Sequence, residues 1–366
     1  MKEGWTYKKL GEVCDFEGGS QPPKSEWINH PQDGYVRMLQ IRDFTKSRNA
    51  EIEYVKITKK LRLCKADDIL IGRYGASVGK ILTGLAGAYN VAIIKSIPDE
   101  NIVRKEFIRR YFESPLFQSI LFKVCTSRAA QAGFSKDDIK DELIPIPSLS
   151  DQQSIVDYLD SAFAKIDTMK ANAEKALNEA KALFQASLKE MLEPKEGWEK
   201  KTIEHFAKIV HGRNQKDVLD GNGLYPIYGS GGNIMGYANA YLCDEGTTIL
   251  GRKGTIDNPL FINVKFWNVD TAFGIIAKNN CDKKFLYYSI KKIDWAKRNT
   301  GTTLPSLTQN VVYNVEMCAP DLSEQQTIVA TLDSLKSKVD RLQENFDKIS
   351  QECDALKQAI LRQVFD

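Results

Sequence analysis

No stretch of this chain approaches the eighteen or so unbroken apolar residues of a membrane-spanning helix. Its opening, Met1-Lys2-Glu3-Gly4-Trp5, lacks the apolar run of a secretory signal. The seven cysteines are odd in number, scattered, and never in Cys-x-x-Cys spacing, which excludes a disulfide frame or a zinc ribbon and fits reduced thiols in a cytoplasm. The three histidines, His30, His205 and His211, have no ligand-like spacing. Apolar residues make up 42% and charged residues 27%, ordinary for a water-soluble chain with room for two domains.

Catalytic motifs are also missing. Gly75-Ala76-Ser77-Val78-Gly79-Lys80-Ile81 is one residue short of a phosphate loop and lacks the Ser or Thr after its lysine, so it reads as a Gly-rich turn. Asp257-Asn258-Pro259-Leu260 lacks the second proline and the aromatic residue of an adenine-methylating site. Gly229-Ser230-Gly231-Gly232 lacks the strand–helix context of a dinucleotide fold. The carboxylates form no recognisable acid–base pair. The chain reads as non-catalytic, with no metal or cofactor of its own.

Glycine and proline are absent from two long stretches, and these organise the rest. Leu149-Ser150-Asp151-Gln152-Gln153-Ser154-Ile155-Val156 returns 173 residues later as Leu322-Ser323-Glu324-Gln325-Gln326-Thr327-Ile328-Val329, and Leu159-Asp160 as Leu332-Asp333. Each Ser-x-x-Gln reads as a capping box, with Ser150 or Ser323 as the cap. The second stretch continues Leu332, Leu335, Val339, Leu342, Phe346, Ile349, Cys353, Leu356, Ile360, the alternation of three and four that marks a coiled-coil seam. The same register in the first runs Leu159, Ala162, Ile166, Met169, Ala173, Ala176, Ala180, Leu183. Small residues in one copy answer large ones in the other, so the reading is an intramolecular two-helix pair.

The globular parts repeat too. Glu3-Gly4-Trp5 returns as Glu196-Gly197-Trp198, and Gly72-Arg73-Tyr74-Gly75 as Gly251-Arg252-Lys253-Gly254. Strands are expected at Tyr54–Ile57, Ile69–Ile71 and Val91–Ile94, then at Thr248–Leu250, Leu260–Val264 and Gly274–Ala277. Helices are expected from Lys105 and from Lys283. The fold class is α+β: two pseudo-repeated globular α/β domains, 1–147 and 194–320, separated by two long helices, 148–193 and 321–366, that form an antiparallel coiled coil. The four segments carry net charges of +5, −3, +4 and −3. Two basic globules on an acidic rod suit a bipartite reader of a polyanion. A helix of this length spans roughly 60 Å at 1.5 Å per residue, about one and a half to two turns of duplex DNA.

Cations and amides on Gly-punctuated loops are the candidate contacts. They are Lys24, Arg73, Lys80, Arg128 and Gln131 in the first globule, and Arg213, Asn214, Arg252, Lys253, Arg298 and Thr302 in the second. Arg and Lys can pair with guanine O6 and N7, Asn and Gln with adenine, and the others can hold phosphates.

Together, the two Leu-Ser-x-Gln-Gln-x-Ile-Val starts, the Gly-Arg-x-Gly turns, the Tyr228-Gly229-Ser230-Gly231-Gly232 loop and Thr302-Thr303-Leu304-Pro305 resemble the specificity subunits of type I restriction-modification systems over essentially the whole chain. The resemblance implies two target-recognition domains, each reading half of a gapped double-stranded DNA site. It also implies a coiled coil that sets the gap and docks two methyltransferase (modification) subunits. S-adenosylmethionine, ATP and Mg²⁺ would belong to those partners and to a restriction subunit that translocates and cuts DNA. A stand-alone DNA-binding or scaffold protein, self-associating through the coiled coil, is the alternative.

Overall fold

A computed structural model describes residues 4–45, 51–126 and 133–366. It comprises two compact units, one of Met1–Asn172 with Lys348–Asp366, the other of Ala173–Asp347. Each long helix therefore contributes to both: Leu149–Met191 and Leu322–Phe365.

The first unit is built on a four-stranded antiparallel sheet in the order Cys14–Gly18, Ile93–Pro98, Ile69–Gly72, Ile81–Leu82. Ile69–Gly72 is buried along its whole length because both of its faces are covered. Alternate side chains divide between two cores. Ile69 and Ile71 join the helix Lys105–Glu113 and the long-helix segments, while Leu70 joins Leu39 and Tyr89 of a second sheet. That sheet orders Tyr54–Lys56, Tyr35–Leu39, Gly87–Tyr89, Leu63–Cys64, and its Met38↔Ala88 pairing is parallel.

The second unit repeats the scheme. Its main sheet orders Ala207–His211, Ala272–Ala277, Thr247–Gly251, Leu260–Ile262. Leu250 faces the helix-bearing core and Ile249 the opposite one. A smaller sheet orders Ile234–Ala238, Tyr225–Tyr228, Trp267–Asn268, again with one parallel pairing, Ile227↔Trp267. Two short antiparallel ribbons, Thr6–Lys9 with Leu143–Ile146 and Glu199–Thr202 with Glu316–Ala319, lead into the long helices. The expected strand at Val91 begins two residues later, because Asn90 turns the chain: its side chain accepts from Ala92 N at 3.1 Å.

In the first unit the long helices run antiparallel. Asp167 pairs with Lys357 at 2.6 Å and Lys170 with Asp354 at 3.4 Å, numbers rising on one helix as they fall on the other. In the second, Lys181 donates to Gln343 at 2.7 Å, and Phe184 and Leu188 share a core with Leu332 and Val339. Leu159, Ile166, Leu332 and Val339 are buried, while Ala173, Leu342, Phe346, Ile349 and Ile360 are half-buried. The alternate seam positions differ from the expected register. Met169 and Leu183 are each 60% exposed and Leu356 48%. The buried positions are Val156, Phe163, Leu177 and Phe184 instead. From Leu159 a heptad can step by three, to Ala162, or by four, to Phe163. The four-step brings Phe163 and Leu177 inward in place of Ala162 and Ala176, and Phe184 in place of Leu183, and the larger apolar area decides. Beyond Cys353 the second helix turns Leu361 and Phe365 inward, leaving Leu356 outside.

The caps also lie two residues earlier than Ser150 and Ser323. Ser148 Oγ accepts from Asp151 N and donates to Asp151 Oδ2, and Asp321 Oδ1 accepts from Glu324 N at 2.9 Å. The glutamine that closes the first Ser-x-x-Gln, Gln153, does not reach back to the cap but donates to Asp157 Oδ1 at 2.8 Å, and it is the preceding glutamine of each copy that is buried. Gln152, fully buried, accepts from Arg104 N at 2.7 Å and donates to Ile102 O and Pro147 O. Gln325 makes the same three bonds, accepting from Asp282 N and donating to Asn280 O and Pro320 O. The repeated aspartates follow suit. Asp160 takes Arg110 at 2.6 Å, whereas Asp333 takes Lys284 and the Tyr288 hydroxyl. Each long helix is thus keyed to the N-terminus and flank of its globule's own helix. Among the described residues no helix is long and apolar enough to cross a membrane.

Candidate nucleic-acid interface

Each Gly-Arg turn follows the central strand of a main sheet, and in each unit it grips the loop that precedes a short capped helix. In the first, Arg73 N donates to Ala92 O and Phe134 N to Arg73 O, while Arg73 Nε donates to Phe134 O at 3.1 Å. The guanidinium lies 5.2 Å over the Tyr74 ring. Gly72 is obligatory: a Cβ there would stand 2.2 Å from Ser77 O. Gly75 has φ +57° and Gly79 φ +76°, the left-handed region that turns the chain back so that Gly79 N reaches Gly72 O. Lys80 is exposed beside this turn.

In the second unit Arg252 N and Lys253 N both donate to Thr271 O, Leu307 N donates to Arg252 O, and Gly254 N to Pro305 O. A Cβ on Gly251 would lie 1.7 Å from Thr255 O. Arg252 sits 5.8 Å over Phe273, and the His211 ring meets the same phenyl edge-on at 5.2 Å. His211 in turn bonds the Gln309 side chain. The loop 300–306 is clamped by Asn299, whose Oδ1 accepts from Gly301 N and Ser306 N, both at 2.8 Å, and whose Nδ2 donates to Gly301 O. Thr302 is thereby presented on an exposed tip. The structure thus brings Arg252, Lys253 and Thr302 together on one clamped loop cluster.

Other candidates lie apart. Arg213 and Asn214 follow the strand Ala207–His211 on an exposed segment. Arg213 O accepts from Trp267 Nε1, and Asn214 Oδ1 is spent on Lys216 N. Lys24 lies 3.9 Å over Trp27 and pairs with Glu53, which Arg42 also engages. Burial works to raise the Glu53 carboxyl, but these cations outweigh it and hold it below the usual carboxylate range. Lys24 is therefore already partnered. Arg298 lies on the rim of a cavity. Arg128 and Gln131 fall outside the described residues. Tyr74, Asn299, His211 and Gln309 are additions to the sequence reading. Asn299-Thr300-Gly301 carries the signature of a side-chain-capped turn, but the other three depend on which strands are neighbours.

A family model described as type I restriction modification DNA specificity domain matches residues 2–179 and again 195–351. The chain belongs to this family. The duplicate match coincides with the duplicated Gly-Arg turn and buried glutamine. Among characterised relatives, the type I restriction enzyme MjaVIII specificity subunit of Methanocaldococcus jannaschii is 22% identical, over 93% of this chain and 88% of its own length. The EcoBI specificity subunit of Escherichia coli is 26% identical over 51% of this chain and 38% of its own. Among solved structures, a chain from work on complex assembly and conformational transition of the type I R-M system superposes with a TM-score of 0.79 at 16% identity. It covers 99% of this chain and 97% of its own. The HsdS subunit from Thermoanaerobacter tengcongensis gives 0.58 at 17% identity, covering 100% and 97%. The family's two-domain fold with paired long helices is the fold seen here.

Proposed function

We propose that this chain is the sequence-reading subunit of a type I restriction-modification complex and carries out no chemistry itself. The observation that carries the reading is the duplicated Gly-Arg turn, bonded each time to the loop before a capped helix and presenting cations and hydrogen-bonding groups from a rigid sheet. Residues 1–147 and 194–320 each read one half of a gapped duplex site. The helices 148–193 and 321–366 set the gap and dock two modification subunits. Those partners supply S-adenosylmethionine chemistry, and a restriction subunit supplies ATP- and Mg²⁺-dependent translocation and cleavage, in the cytoplasm. Arg73, Lys80, Arg252, Lys253 and Thr302 are the leading contacts, with Arg213 and Asn214 as further candidates. Arginine and lysine can recognise guanine edges or hold phosphates, and the clamped loops fix their reach.

Methylation mapping in cells that express this chain with a modification subunit of its system tests the reading. A two-part motif with an unspecified gap is expected, one half of which changes when residues 194–320 are exchanged for those of another specificity chain. No motif, with the modification subunit demonstrably active on another specificity chain, overturns it.

A further inference from the structure

The two units are built alike, and one difference between them opens a cavity. Counting from the matched helix starts Lys105 and Lys283, Phe107 corresponds to Phe285 and Tyr111 to Ser289. By the 173-residue repeat, Phe365 corresponds to Leu192. In the first unit the Phe365 ring fills the space between Phe107, at 5.4 Å, and Tyr111, at 5.6 Å. In the second, serine and leucine occupy those two places, and a half-open cavity of about 630 Å³ is lined by Leu192, Ser289 and Met317. It is large enough for two or three side chains.

The rim is cationic. Lys200, Lys292, Lys297 and Arg298 line it against Asp294 and Glu316, a net of +2. Lys200 is paired with Glu316 at 2.8 Å and Lys297 with Asp294 at 3.1 Å, while Lys292 donates to Leu192 O at 2.8 Å. Among the described residues no carboxylate pairs with Arg298, whose guanidinium stands exposed at the edge. An apolar floor under a rim of small positive excess does not suit a nucleic-acid backbone, which calls for a row of cations and offers nothing to an apolar floor. It suits a polypeptide that inserts a leucine-like side chain and carries one or two flanking carboxylates.

We propose that this cavity docks an acidic, leucine-bearing segment of a partner protein, with Leu192 and Met317 receiving the apolar side chain and Arg298 and Lys297 the carboxylates. This goes beyond the DNA reading and does not depend on it. It also assigns Arg298 to a protein contact and removes it from the DNA set.

The full chain is titrated against a short fluorescein-labelled peptide alternating glutamate and leucine, followed by anisotropy. Saturable binding is expected. It should weaken about tenfold or more in Arg298→Glu and further with Lys297→Glu, both exposed positions that leave the fold intact. Ser289→Tyr, which restores the ring found at the matching place in the first unit, should abolish it; circular dichroism checks that this variant folds. Peptides with lysine for glutamate, or alanine for leucine, should not bind. Three results each overturn the proposal: no binding of the acidic peptide, binding that Arg298→Glu and Lys297→Glu leave within about twofold, or displacement by inorganic phosphate alone, which marks a simple anion site. A loss of duplex DNA affinity in Arg298→Glu with peptide binding intact would return the rim to the DNA interface and would likewise reject it.

Discussion

The buried side chain of Gln152 receives the backbone N–H of Arg104 at 2.7 Å, tying the first turn of one helix to the start of another 48 residues away. Its amide also donates to Ile102 O and Pro147 O, both at 3.0 Å. Replacing Gln152 with leucine strands one donor and two acceptors in a dry site and should cost about 2–4 kcal/mol. Gln325→Leu should do the same in the second unit. Gln153→Ala, at an exposed neighbour, should stay within about 0.5 kcal/mol. Urea unfolding of the three variants compares them directly, and equal effects at Gln152 and Gln153 would contradict the assignment.

The coiled-coil register makes a sharper prediction. Phe163 and Phe184 are buried, while Met169 and Leu183 face solvent. Phe163→Ala and Phe184→Ala should each cost about 3–5 kcal/mol. Met169→Ala and Leu183→Ala should change stability by about 0.5 kcal/mol or less. Thermal melts that ranked these pairs the other way would restore the shorter-step register.

Asn299 holds its loop by three hydrogen bonds and bears no candidate base contact itself. Asn299→Ala should loosen Thr302 and lower affinity for the cognate duplex about tenfold, with little change for random DNA. Band-shift assays on both duplexes separate the two effects. A uniform loss would mean that the loop holds phosphate and does not read bases.

Lys80 tests the opposite behaviour. If its exposed ammonium meets a phosphate, Lys80→Ala should weaken cognate and random duplexes alike and reduce the slope of log K against log salt by about 1. Titration across a salt series measures that slope.

Burial pushes the Cys14, Cys243 and Cys281 thiols up to about 12 and Cys64 to about 11. At neutral pH these four are protonated and enclosed, so a disulfide exchange reagent should modify them only after unfolding. Rapid reaction is confined to half-buried positions such as Cys318. Mass spectrometry of the briefly labelled native protein reports which sites react, and fast labelling of Cys243 would show that its core opens.

Most of the architecture was legible because the sequence repeats itself. The glutamine pair, the aspartates at 160 and 333, and the Gly-Arg turns all recur at matching places, and repetition marks a position before its role is known. The roles themselves were less legible. Ser150 looks like a cap, but Ser148 lies closer to the helix start and takes the bond, and nothing in the local sequence marks Gln152 rather than its neighbour Gln153 as the side chain that reaches inward. Heptad spacing alone could not choose between Ala162 and Phe163, since both steps obey it; the choice depends on which face the globule covers. Lys24 looked available because nothing in its neighbourhood announces Glu53, 29 residues on. The cavity beside Ser289 was invisible for the same reason, as it exists only by comparison with Tyr111 and Phe365.

The first unit is discontinuous: it needs residues 348–366 as well as 1–172, and Phe365 closes the aromatic cluster of Phe107 and Tyr111. The second, residues 173–347, is one unbroken segment. On a ribosome the order of completion therefore inverts the order of synthesis. The N-terminal globule emerges first but waits, with part of its core open, until the final helix has been delivered, while the later globule can already close. The aromatic cluster around Phe107 is the surface a chaperone would meet during that interval.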